Sequence, residues 1–155
     1  DMMKGQFMTD MRPLYELLRE DKNYRIGWFD SGRTIAVLEI RGPWIWDEAF
    51  DIIPYLNKQV ASVGHPVYTI YEYNSKHMAF LPRGGSILNI RRLVEIDPPN
   101  EQLVVFVKHD SLTRSFVNII FKVYGLRQIV HKYRFVATWE EAMTQIDQHR
   151  ASQAP

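Results

Sequence analysis

Hydrophobic positions along the chain switch between a period of two and a period near 3.6. Tyr24, Ile26 and Trp28 alternate with Arg25, Gly27 and Phe29, and after Asp30-Ser31-Gly32 the run Thr34-Ile35-Ala36-Val37-Leu38-Glu39-Ile40 is again strand-like. These two segments predict a hairpin, with Gly32 expected to supply the positive φ that such a turn often uses. Ahead of them, Leu14, Leu17 and Leu18 follow Pro13 at spacings of three and four. That spacing predicts a short amphipathic helix, ending near Glu20 and lying on the domain as a lid.

Gly42-Pro43 breaks the second strand, and Asp47 is placed to cap a helix whose buried stripe is Ala49, Phe50, Ile53, Leu56 and Val60. Pro54 lies inside this helix and predicts a kink or break, because it removes a backbone donor and crowds the preceding turn at a cost of about 3 kcal/mol. Gly64-His65-Pro66 ends the helix, and Val67 to Tyr71, bulky on both faces, reads as an interior third strand. Residues 72–85 form the longest stretch without a period, and long irregular loops are often functional. A helix from about Ser86 to Glu95 follows, with Ile87, Ile90 and Val94 inward, and Asp97-Pro98-Pro99-Asn100 stops it. Leu103 to Val107 predicts a fourth strand. Asp110 or Ser111 then caps a helix that Gly125 ends, Tyr133 to Val136 is a fifth strand, and Thr138-Trp139-Glu140-Glu141 is a capping box opening a last helix with Ala142, Met143 and Ile146 inward.

Strands alternating with helices demand a mostly parallel sheet with helical crossovers. The expected fold is therefore α/β: a five-stranded mixed, mostly parallel sheet with an opening β-hairpin and an extra N-terminal helix. Residues 1–23 are expected to be an extension carrying the short helix, 24–149 the domain, and 150–155 a frayed tail. Composition tells the fold better than the function, though it excludes some chemistries. The 155 residues carry 19 Lys plus Arg against 18 Asp plus Glu and no Cys. A chain of this length buries a sufficient core without disulfides or a structural metal, and the lack of Cys excludes thiolate zinc sites, iron–sulfur clusters and a cysteine nucleophile. A formal net charge of +1 argues against nucleic-acid binding. The first residues lack a signal-peptide pattern and no run approaches 18 apolar residues, so the expectation is a cytoplasmic protein with no membrane span.

Several local strings carry a resemblance: Gly42-Pro43-Trp44 leading into an acidic helix start, Asp110-Ser111-Leu112-Thr113-Arg114 opening a helix that ends Lys122-Val123-Tyr124-Gly125, and the closing Phe135-Val136-Ala137-Thr138-Trp139-Glu140-Glu141-Ala142. Together with the element order, over roughly residues 24–149, they resemble the STAS domain and more closely its SpoIIAA-like, anti-sigma-factor antagonist branch. The resemblance implies a non-enzymatic regulatory module that docks onto partner proteins. In some members it is switched by phosphorylation of a Ser or Thr at the start of the second crossover helix. In this chain that place falls at Gly84-Gly85-Ser86-Ile87, where two glycines precede a lone Ser86 and the usual Asp is missing.

Arg83, Gly84, Gly85 and Ser86, with Arg91 and Arg92 beyond, form the one stretch resembling an anion cradle, since the glycines allow close approach and a helix start stabilises negative charge. Ser86 is also an ordinary N-cap residue, and capping is the favoured reading over a phosphoacceptor. On the helix from Leu112 to Tyr124, Val117, Phe121 and Tyr124 widen the apolar stripe beyond what packing on a sheet requires. The surplus is covered by neighbouring helices, by a second subunit in a homodimer, or by an apolar ligand. Met78, Phe80 and Leu81, with Trp44 and Trp46, either roof the core or form the mouth of a site for a small apolar molecule such as a lipid chain. The five His are scattered without metal-ligand spacing, and His109-Asp110-Ser111, being consecutive, cannot converge as a triad. No catalytic residue, metal or cofactor is assigned, and the expected partner is a protein.

Overall fold

A computed structural model of the chain describes residues 12–74, 89, 92, 97–108 and 131–154. Its centre is a six-stranded mixed sheet: β1 (Glu16–Glu20), β2 (Tyr24–Trp28), β3 (Ile35–Ile40), β4 (Val67–Tyr73), β5 (Glu101–Val107) and β6 (Tyr133–Val136). Spatial order follows sequence order. The first two pairings are antiparallel and the remaining three parallel. Two helices are described over their length, α1 (Trp46–Val63) and α2 (Trp139–Gln153).

The strand count differs from the expected five because residues 16–20 pair with β2 instead of forming a helix. A triplet at spacings of three and four in so short a run is also satisfied by a strand with a bulge, and the register shifts between Leu17 and Arg19. Consequently Leu14 packs on one face of the sheet, Leu18 on the other, and Leu17 is 53% exposed. In the hairpin from β2 to β3 the left-handed residue is Arg33 (φ 53°), not Gly32. The Asp30 carboxylate accepts the Thr34 and Ile35 N–H groups, both at 2.9 Å, and this side-chain clamp sets the turn without help from glycine.

Helix α1 runs unbroken through Pro54, which removes one bond and leaves the helix continuous. Its N-cap is Ile45 with no side-chain cap; Asp47 lies in the first turn with Glu48, where the positive end of the dipole favours both carboxylates. The buried face is Ala49, Ile52, Ile53, Leu56, Asn57 and Val60, whereas Phe50 is half-buried. Gly64 ends the helix in the left-handed conformation (φ 72°), and Asn100 Nδ2 donates to Val60 O and His65 O, both at 2.8 Å, satisfying a carbonyl that the helix end leaves open. One bond of the expected capping box of α2 forms, Thr138 Oγ1 accepting from Glu141 N at 3.1 Å, while Glu141 Oε2 accepts from Ala137 N, one residue before the N-cap, at 3.3 Å. Helix α2 continues through residues 150–153, where Arg150 donates to Thr34 Oγ1 at 2.7 Å.

Alternation along β3, β4 and β5 sends side chains to two separate cores. Ala36, Leu38, Ile40, Tyr71, Tyr73, Val104 and Phe106 pack against α1; Ile35, Val37, Tyr68, Ile70, Leu103, Val105 and Val107 pack against α2. Every residue of β4 is buried, as an interior parallel strand requires. Arg92 lies 4.5 Å over the Phe50 ring, which sets residue 92 beside α1 on the first face. On the second face, next to Leu14, the sheet is close to the strap leading into β1. A Cβ at Gly27 would stand 2.4 Å from Glu16 O and 2.7 Å from Leu14 Cδ1. Gly27→Ala is therefore expected to push β1 from β2 and cost about 1–3 kcal/mol, read by urea denaturation; unchanged stability would mean that this close approach is not maintained.

Candidate functional site

Of the residues singled out from sequence, Met78, Phe80, Leu81, Arg83, Gly84, Gly85, Ser86, Arg91, Val117, Phe121 and Tyr124 lie outside the described residues. Arg92 is helical and exposed, stacked on Phe50. Trp44 is buried in the first core with Trp46 packed against it, so both roof that core.

The described residues assemble a different site. In parallel α/β sheets, ligands gather beyond the carboxyl ends of the strands, and here a row of charges crosses the second face one position short of those ends. Arg25 in β2 is opposite Glu39 in β3, Glu39 is beside Glu72 in β4, and Glu72 is beside Val107 in β5. Glu39 is fully buried, while Arg25 and Glu72 are 8% and 7% exposed. Arg25 Nη2 pairs with Glu39 Oε2 at 2.8 Å, and Arg41 Nε lies 3.6 Å from Glu39 Oε1. Glu72 Oε2 is paired at 2.7 Å by Arg12, which arrives from the strap before β1. Arg12 also sits 4.0 Å over the Trp139 ring, and its backbone carbonyl accepts from Arg25 Nη2.

Sequence reasoning passed over this row although a signal was present. Glu39 is the lone charge within an apolar strand, and Glu72 directly follows the apolar run of β4. Which arginine faces each carboxylate depends on strand register, and periodicity does not encode it.

A second buried network occupies the amino end of β5 and β6. Glu101 accepts from Thr69 Oγ1 at 2.6 Å and pairs with Lys132 Nζ at 3.0 Å; Asp97 Oδ2 accepts from the Tyr133 hydroxyl at 2.5 Å and from Lys132 at 3.3 Å. Burial raises the Glu101 pKa against the opposing pull of Lys132 and Thr69. Burial, reinforced by the Asp97 charge, also lifts the Tyr133 hydroxyl far above its usual range. Near the end of α2 there is an open groove of about 510 Å³ between Thr34, Tyr68, Gln102 and Arg150, where the Tyr68 hydroxyl lies 2.8 Å from His149 Nδ1.

Among the described residues no group of three or more His, Asp or Glu is placed to hold a metal ion, and no helix is long and apolar enough to cross a membrane. In both charge clusters the carboxylates lie against cations or hydroxyls, while Glu39 Oε1 and the Nε atoms of Arg25 and Arg41 are buried without a hydrogen-bond partner. No family model, curated protein or solved structure matches the chain.

The raised pKa of Glu101 fixes a pH dependence. Between the ordinary glutamate pKa and the raised folded value, the folded protein keeps a proton that the unfolded chain releases, so stability falls as pH rises through that window. Glu101→Gln is expected to remove this downward component from a pH series of denaturation curves; an identical slope in the variant would show that Glu101 is not its source.

Proposed function

We propose that the chain is a STAS-like, non-enzymatic regulatory module that works by docking onto a partner protein. The observation that carries the reading is the outer side of β1. This strand ends the sheet and, among the described residues, pairs only with β2. It presents Leu17, 53% exposed, with Tyr15 just ahead of it 66% exposed. An unpaired edge is a template for another chain. Here Glu16, Arg19 and Glu20, together with the bulge, guard it against indiscriminate pairing while leaving two large apolar side chains open. An antiparallel opening followed by parallel strands, with α1 as the β3-to-β4 crossover, agrees with the STAS resemblance. Within the proposal, Ser86 and the arginines around it are the regulatory surface, where a phosphate or other anion alters docking. A second copy of this chain is the alternative occupant of the β1 edge.

A photo-crosslinking residue placed at Leu17, with exposed Lys58 as control, tests this in cells that make the protein. The expected result is one discrete protein adduct from position 17 and none from 58, the adduct mass separating a different protein from a homodimer. Ser86→Asp is expected to change its yield without altering the fold. Equal labelling at both positions, or no adduct from 17, contradicts the proposal.

A further inference from the structure

Arg12 is held by the domain in the way a receptor holds a ligand. Residues 12–14 belong to no helix or strand, whereas the groups that receive Arg12 stand on regular elements: Glu72 in β4, Trp139 at the first position of α2, and Arg25 in β2. The central carbon of the guanidinium stands over the indole, 4.0 Å from the ring centroid, while one nitrogen is 2.7 Å from Glu72 Oε2. The Arg25 guanidinium holds the Arg12 carbonyl. The host is the buried partner and the guest the open one, with side-chain exposures of 9% for Glu72 and 29% for Arg12.

Charge matching makes the occupant specific. Glu39 and Glu72 are neighbours in register, and Arg25 and Arg41 serve Glu39. Arg12 is the cation paired with Glu72 among the described residues, so its departure leaves a nearly buried carboxylate unmatched, a costly state. The socket therefore requires a cation. An aromatic face beside a carboxylate favours the planar, weakly hydrated guanidinium over a compact ammonium.

We infer that Glu72 and Trp139 form a guanidinium socket that takes an arginine side chain presented by a partner protein, and that Arg12 is a built-in competitor occupying it in cis. A tethered competitor acts at an effective concentration of roughly millimolar, so a partner fills the socket only when further contacts support its arginine or when the strap is drawn away. The inference goes beyond the docking at β1 and does not rest on it, because the socket is testable with a small arginine compound alone.

The probe is N-acetyl-arginine amide, titrated into the full chain and followed by NMR at the Trp139 indole N–H. Wild-type protein is expected to bind it at least about ten-fold more weakly than Arg12→Ala, a difference of about 1.4 kcal/mol. Glu72→Gln in the Arg12→Ala background is expected to abolish binding, and N-acetyl-lysine amide to bind Arg12→Ala more weakly than the arginine probe. Should Arg12→Ala fail to fold, Arg12→Lys keeps a positive charge beside Glu72 and is expected to bind the arginine probe more tightly than wild type does. Equal affinity in wild type and the Arg12 variant that folds, no binding to that variant, or equal binding of the lysine probe by Arg12→Ala overturns the socket.

Discussion

Glu39 sits inside the sheet with no exposure to solvent, and the arrangement of the second face follows from keeping its charge matched. An ionised carboxylate so placed is tolerated only when paired and hydrogen-bonded. Arg25 meets it across the β2–β3 pairing. Glu72 lies beside Glu39 in the parallel neighbour, a second carboxylate that needs its own cation, and Arg12 supplies it from outside the sheet. In reaching Glu72, Arg12 brings the strap across β2, where Leu14 packs over Gly27, and it rests on Trp139 at the start of α2. One electrostatic requirement thus ties the first described residues, three adjacent strands and the last helix together.

Both faces carry an apolar core, one packed on α1 and one on α2, and each also holds a charge cluster. The first core, roofed by α1, is aliphatic and aromatic through its middle, with the Glu101–Lys132–Asp97 network at its amino end. That burial dominates stability. The ion row adds a condition on geometry: a one-residue slip of β2 against β3 would send Arg25 to the opposite face and leave Glu39 facing no cation from that strand. Buried pairs of this kind are weak sources of stability compared with apolar residues of the same shape, so discrimination of register is their natural contribution.

Strong, continuous signals were legible in the sequence. The hairpin of β2 and β3, the apolar runs of β4 and β5, the short β6, the left-handed end at Gly64 and the Thr138 cap are all local patterns, and local chemistry realises each of them. Misreadings arose where a distant or side-chain partner decides the outcome. Leu14, Leu17 and Leu18 fit a helical stripe until the free edge of β2 offers hydrogen bonds, and Gly32 looks like the turn residue until the Asp30 carboxylate clamps the backbone just after Arg33. The ion row was hidden for the same reason. Glu39 stands out in an apolar strand, but its partner is set by register, and the partner of Glu72 comes from a strap with no period at all. The surfaces singled out around Ser86, Phe80 and Phe121 lie outside the described residues.

The most direct measurement of the central claim is a thermodynamic cycle on Arg25 and Glu39 by urea denaturation. With Glu39 fully buried, Arg25→Met is expected to cost about 3–5 kcal/mol, because it leaves the carboxylate without its main partner, and the double variant Arg25→Met, Glu39→Leu to recover most of that loss. A cost below about 1 kcal/mol for Arg25→Met, the value of an exposed pair, would contradict the account. So would a double variant no more stable than Arg25→Met alone.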